Sequence, residues 1–171
     1  MHTIEDIIAN SENKQYVIEA INEDGMFLEF ASDSLKNDKE VVMQAVSKDG
    51  GALEFASERL KKDKEILMKA VETKGFVICY ASDELRADKE LILKAANKDG
   101  QVLYYASKEL RDDYDVVKAA VINKGIIIKY ASKRLRENEE IAIEAVKQNK
   151  MAYDFISPSL RDNEKIKEII G

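Results

Sequence analysis

The sequence has few of the residues on which enzyme sites are usually built. Its 171 residues include one cysteine, one histidine, one proline and no tryptophan. The lone Cys79 excludes an internal disulfide framework and fits a reducing compartment. The lone His2 excludes Ser-His-Asp and Cys-His chemistry in the body of the chain. Together they cannot make a Cys/His zinc site, which takes three or four such ligands. No apolar run approaches the roughly 18 residues of a membrane span. The opening Met1-His2-Thr3-Ile4-Glu5-Asp6 lacks the basic and apolar regions of a signal peptide.

What the chain does have is 45 % apolar and 35 % charged residues, with a net charge of −6. Its length predicts one domain, large enough to bury about 70 % of its unfolded surface without staples. An internal repeat dominates it. Ala-Ser stands at positions 31, 56, 81, 106 and 131, every 25 residues, and Ile156-Ser157 is a degenerate sixth copy. The other columns keep the same step. Leu35, Leu60, Leu85, Leu110, Leu135 and Leu160 follow each Ala position, and Phe30, Phe55, Tyr80, Tyr105, Tyr130 and Phe155 precede it. Asn13, Asp38, Asp63, Asp88, Asp113, Asn138 and Asn163 are good N-cap residues. Ala20, Ala45, Ala70, Ala95, Ala120 and Ala145 form a small-residue column, and Gly25, Gly50, Gly75, Gly100 and Gly125 take five of seven glycines.

The columns predict an all-α fold. After each cap, apolar residues at helical spacing give a helix of about ten residues, and the glycine is expected to end it in a left-handed conformation. A second, shorter helix is expected from Ala52 to about Ser57, with Ser57 and Leu60 turning the chain into the next cap at Asp63. Neither helix reaches the roughly 12–15 residues that an isolated helix needs, so stacking must supply the stability. The expected architecture is an α-solenoid of six to seven stacked 25-residue helical hairpins with polar terminal caps. It forms a single domain over 1–171, with an N-terminal cap at 1–13, repeats over 13–162 and a cap helix at 163–171. Lys150 in the glycine column, and Lys167 and Glu168 in mostly apolar columns, read as the features of a finished array.

The order Asp-x-Glu-Val-Val-x-x-Ala-Val-x-x-x-Gly-x-x-Leu-x-Phe/Tyr-Ala-Ser-x-x-Leu resembles a family of repeats known as domain of unknown function 4116, which occurs in bacterial and large-virus proteins. The resemblance covers residues 13–163 and implies a helical repeat fold. It carries over no catalytic or cofactor residue. The first and last units and the segment 112–122 depart from the pattern.

No catalytic, metal or cofactor residues are assigned. The glycines follow the repeat and make no phosphate-loop motif, and the Asp/Asn column places one cap at each helix start, so its members do not converge on a metal. Two columns vary between repeats while their neighbours stay fixed. One reads Glu29, Glu54, Cys79, Tyr104, Lys129 and Asp154 and is expected to be at least partly exposed. The other follows the glycine and reads Met26, Gly51, Phe76, Gln101, Ile126 and Met151, either as core contact or as an exposed apolar stripe. Charge is uneven too: residues 1–33 carry −7, whereas 116–136 carry +6 and no acid. In that basic stretch Tyr114, Lys118 and Ile122 break their columns, as local rules often break at functional or strained places. They read either as a slightly rotated helix or as a partner-binding patch.

The candidate partner-binding residues are therefore Tyr114, Lys118, Ile122, Lys124, Lys129, Lys133, Arg134, Arg136, Tyr104 and Phe76. The expected function is non-enzymatic: a protein-binding solenoid acting as a stand-alone adaptor, effector or stoichiometric inhibitor. Nucleic-acid binding through 116–136, with Tyr104, Tyr105, Tyr114 and Tyr130 stacking on bases, is the alternative. The chain is expected as a monomer, with salt-dependent head-to-tail self-association as a further alternative. No membrane contact and no cofactor are expected. The expected location is the cytoplasm of a bacterium, or of a host cell for an effector or virus-encoded protein.

Overall fold

A computed structural model describes residues 2–171, and these form helices and turns with no strand. It is a helical-repeat fold of the solenoid class. Among the described residues no helix is long and apolar enough to cross a membrane.

A full repeat has three pieces, seen in residues 38–61. The α-helix Lys39–Lys48 is followed by the 3-10 helix Gly50–Phe55 and the one-turn α-helix Glu58–Lys61. The first begins where the Asp/Asn column predicts. Asn13, Asp38, Asp63, Asp88, Asp113, Asn138 and Asn163 all accept a backbone N–H with their side chains. Asp38, for example, accepts from Glu40 and Val41 at 2.9 and 3.3 Å. A cap of this kind contributes about 0.5–2 kcal/mol. Ser57, Ser82, Ser107 and Ser132 cap the turn that follows them, as where Ser132 Oγ accepts from Leu135 at 3.2 Å.

Two local expectations are corrected. The second helix is of 3-10 type, and the turn after it is a helical turn in its own right. The glycines do not end the long helix in a left-handed conformation, because the only positive φ among the described residues is at Gly171. The helix ends one residue earlier, where Asp24, Asp49, Asp99 and Asn149 are extended and turn their side chains onto the N–H two residues on. These short polar side chains offer the backbone an alternative to a further helical turn. The glycine is needed for space. A Cβ on Gly25 would lie 2.6 Å from the Ala45 carbonyl oxygen, and one on Gly50, Gly100 or Gly125 would be closer still to the carbonyl of Ala70, Ala120 or Ala145. In these four pairs the glycine and the alanine of the next repeat are the two sides of one contact.

The chain divides into two compact units, Met1–Leu85 and Arg86–Gly171. In the first, Lys14–Glu23, Lys39–Lys48 and Lys64–Ala70 stack in order, and Gly25–Phe30, Gly50–Phe55 and Gly75–Tyr80 stack as a second layer. Val17, Ile21, Leu28, Val42, Leu53, Ile66 and Ile78 are fully buried in this unit. Polar rungs join successive repeats. Ser57 N–H donates to the Lys36 carbonyl at 2.9 Å, and Gly50 N–H donates to Thr73 Oγ1 at 2.7 Å. Lys14 reaches Asp38 and Glu40, both at 2.8 Å, and Lys39 reaches Asp63 and Glu65 at 2.9 and 2.7 Å.

The second unit repeats the plan. Lys89–Ala96, Tyr114–Asn123, Glu139–Gln148 and Glu164–Ile170 form one layer, and Gly100–Tyr104, Gly125–Tyr130 and Lys150–Asp154 the other. Ser107, Ser132 and Ser157 donate to the carbonyls of Arg86, Arg111 and Arg136 at 2.9, 2.9 and 3.0 Å. Gly100 and Gly125 donate to Asn123 Oδ1 and Gln148 Oε1 at 3.0 and 2.5 Å. Lys150 stands in the glycine column, and its ammonium donates to the Ile170 carbonyl at 3.0 Å. Ile170 stands where the earlier repeats have their Ala, so a side chain replaces the backbone contact at this rung.

Candidate functional site

Residues three apart eclipse one another on a 3-10 helix. The residue after the glycine therefore lies over the one three places on, and these are the two columns that vary between repeats. In the first unit the pairs are Met26 with Glu29, Gly51 with Glu54, and Phe76 with Cys79. Glu29, Glu54 and Phe76 are exposed, Phe76 by 45 %, and Cys79 is half-buried. In the second unit the pairs are Gln101 with Tyr104, Ile126 with Lys129, and Met151 with Asp154. All are exposed except Ile126, which is half-buried. In each unit the outer face of the 3-10 layer is thus variable, and no member of the glycine-following column is buried: Phe76, Gln101 and Met151 are exposed, and Met26, Gly51 and Ile126 are half-buried.

In the second unit two of these pairs line a cleft of about 350 Å³. Gln101, Tyr104 and Tyr105 come from one repeat, and Lys124, Ile126, Ile127, Lys129 and Tyr130 from the next. The Tyr104 ring is 54 % exposed and stands edge-on to both Tyr105 and Tyr130, with centroids 5.0 Å away in each case. Arg86 lies over Tyr105 at 5.7 Å, and Lys129 lies 5.0 Å from the Tyr130 ring and 5.9 Å from Phe155. Cation–π contacts of this kind hold the basic side chains against the aromatic wall.

Lys124 marks the cleft in another way. At its position Asp99 and Asn149 cap the following 3-10 helix with a side-chain oxygen, whereas Lys124 makes no such hydrogen bond. An acid or amide found in the neighbouring repeats is replaced by a cation. Among the described residues neither Lys124 nor Lys129 is in an ion pair, while Lys89, Lys118, Lys133 and Arg134 of the same unit all are.

The structure brings Tyr104, Lys124 and Lys129 together and gives most of the other candidates different work. Tyr114 donates to Glu140 Oε2 at 2.5 Å, and Lys118 reaches Glu140 Oε1 at 2.6 Å. In the preceding repeat a single lysine, Lys89, bridges Asp113 and Asp115 at 2.8 and 2.9 Å. Tyr114 occupies that lysine's column, and Lys118, one turn on, restores the charge. The irregular copy is a rewired rung. Its hydrogen bonds to Glu140 push the Tyr114 phenol and the Lys118 ammonium above their ordinary values; Lys118, then Tyr114, holds the Glu140 carboxyl below its own.

Arg134 grips the preceding repeat, with Nε to Asp112 Oδ1 at 3.0 Å and Nη2 to the Asp112 carbonyl at 2.5 Å. Arg59 holds Asn37 in the same manner in the first unit. Arg136 carries its Nε into the protein with no acceptor among the described residues, and Lys133 is exposed beside Glu137 at 3.8 Å. Ile122 is 54 % exposed on the Tyr114–Asn123 helix. Phe76 belongs to the first unit. The sequence pattern did not assemble the cleft from Gln101, Ile126 and Ile127, and it marked Tyr105 and Tyr130 as members of the aromatic column and as stacking groups. The signal available was the i, i+3 spacing of the two variable columns, which makes them neighbours on any helix and eclipses them on a 3-10 helix.

No three His, Cys, Asp or Glu side chains among the described residues are placed to hold a metal ion. No curated protein and no solved structure matches the chain. The model of one family does, over residues 13–61, 38–86, 88–136 and 113–161, each match spanning two successive repeats. With these matches running through most of the chain and in step with its 25-residue period, the protein belongs to the family described as domain of unknown function DUF4116.

Proposed function

We propose that this chain is a non-enzymatic, protein-binding repeat module whose second unit engages its partner through the Tyr104–Lys124–Lys129 cleft. One observation carries the reading. Constant columns supply the caps, the core and the Gly–Ala contacts, while two columns that change between repeats share the accessible face of the 3-10 layer, and members of both line the cleft. In repeat proteins such a division separates scaffold from binding surface. The lining is also of the right kind, since tyrosine is favoured at interface hot spots and here stands half-exposed in a recess. Acting as an adaptor, an effector or a stoichiometric inhibitor requires no more than such a surface, because a bound module can bridge its partner or cover part of it.

The test is site-specific photo-crosslinking in the native cell from position 101, beside the cleft, and from position 48, on a long helix of the first unit. A discrete adduct from position 101, absent from position 48 and lost with Tyr104→Ala, is the expected result. Equal adducts from both positions, or adducts indifferent to Tyr104, would remove the cleft from the function.

A further inference from the structure

The charge of the cleft identifies the chemistry of its occupant, given the protein-binding reading above. Its only charged lining groups are Lys124 and Lys129, and neither is neutralised by a carboxylate among the described residues. Lys74 shows that a lysine in the Lys124 column can pair, since it lies 3.9 Å from Asp49 in the first unit. A cationic side chain would be repelled from the cleft, and a neutral one would leave both ammonium groups unused. Tyr104 and Ile126 supply an aromatic and aliphatic wall beside them. We propose that the cleft binds an acidic segment of a protein partner, with an aromatic or aliphatic side chain seated against Tyr104 and flanking carboxylates on Lys124 and Lys129.

The surroundings favour a peptide over a nucleic-acid strand. A strand needs a continued basic track and successive stacking platforms. Here the next repeat presents Met151 and Asp154 at the corresponding positions, both exposed. The cation pair is local, which suits one or two carboxylates and does not extend along a phosphodiester backbone. A volume of about 350 Å³ is likewise at the small end for a ligand site and suits the anchor of a short segment.

The experiment is a titration of the whole, isotope-labelled protein followed by amide chemical shifts. Three probes are used: the capped peptide Glu-Asp-Phe-Asp-Glu, its neutral counterpart Gln-Asn-Phe-Asn-Gln, and a deca-uridine oligonucleotide. The acidic peptide is expected to shift the amides of Gln101, Tyr104, Ile126 and Lys129, and the neutral one to bind about tenfold or more weakly. Lys124→Glu with Lys129→Glu should abolish the shifts while the rest of the spectrum stays in place. Lys124→Gln with Lys129→Gln serves the same purpose should the reversed charges disturb the fold. Equal binding of the acidic and neutral peptides, no shifts at the cleft, or shifts with the oligonucleotide alone would each overturn the proposal. A partner crosslinked through position 101 that is insensitive to both lysine substitutions would leave protein binding standing and overturn only its acidic chemistry.

Discussion

Gly125 lies against the Ala145 carbonyl so closely that its Cα has no room for a methyl group, while its own N–H donates to Gln148 Oε1 at 2.5 Å. Both halves of that contact reach into the next repeat. The obstacle is backbone, which cannot swing aside as a side chain can. Gly125→Ala should therefore lower stability by about 1–3 kcal/mol, the usual range for overpacking. Gly51→Ala is the control, since the nearest atom to its Cβ is the Asp49 carboxylate at 3.0 Å and the next are at 3.8 Å. Denaturant midpoints of the two variants should separate clearly.

The rung between Lys14 and Asp38 sets an acid dependence. The Lys14 hydrogen bond leads the causes that hold the Asp38 carboxyl below its ordinary value of 3.8. A depressed folded-state value contributes stability that is present above the unfolded value and is lost as pH falls through the folded one. Acidification below about pH 4 should thus destabilise the first unit. Asp38→Ala should cost about 0.5–2 kcal/mol at neutral pH through the lost cap, and the variant should respond less to acid. Denaturation curves between pH 2 and 7 decide this.

At the rewired rung the sign is reversed. Glu140 accepts a hydrogen bond from the neutral Tyr114 phenol and so opposes its ionisation, holding it above 10.0. Glu140→Gln should bring the Tyr114 titration down, as read from the carbon shift of its ring bearing the hydroxyl. No change on substitution would show that the two side chains do not meet in solution.

Lys150→Met should loosen the helix Glu164–Ile170 and little else. The substitution removes the ammonium donor from the Ile170 carbonyl and keeps the aliphatic stem. Faster amide exchange confined to residues near 164–171 is the expected outcome. Uniform acceleration through the second unit would show that Lys150 supports more than this one helix end.

Legibility in the sequence followed the range of the interaction concerned. Caps are local: Asp38 and Val41 are three residues apart, and the whole Asp/Asn column could be assigned from spacing alone. The glycines misled because the pressure on Gly125 comes from Ala145, twenty residues on, which a local rule for helix ends does not see. Tyr114 and Lys118 looked exceptional along the chain because their shared partner, Glu140, lies in the following repeat. The cleft was half-legible. Tyr104, Lys124 and Lys129 stood out by type, but Gln101 and Ile126 joined them only where two successive repeats meet, a contact that spacing along the chain does not show.

The rungs also give the molecule a frame. Within each unit they join residues 20 to 26 places apart, so each holds only if the count between its ends is kept. One residue inserted between Lys36 and Asp38 would put Lys14 out of step with Asp38 and Ser57 out of step with Lys36. Twenty-five inserted residues of matching pattern would leave every neighbour with its proper partner. Length in such a chain changes in whole words, and a single-letter error costs the bonds on both sides of it.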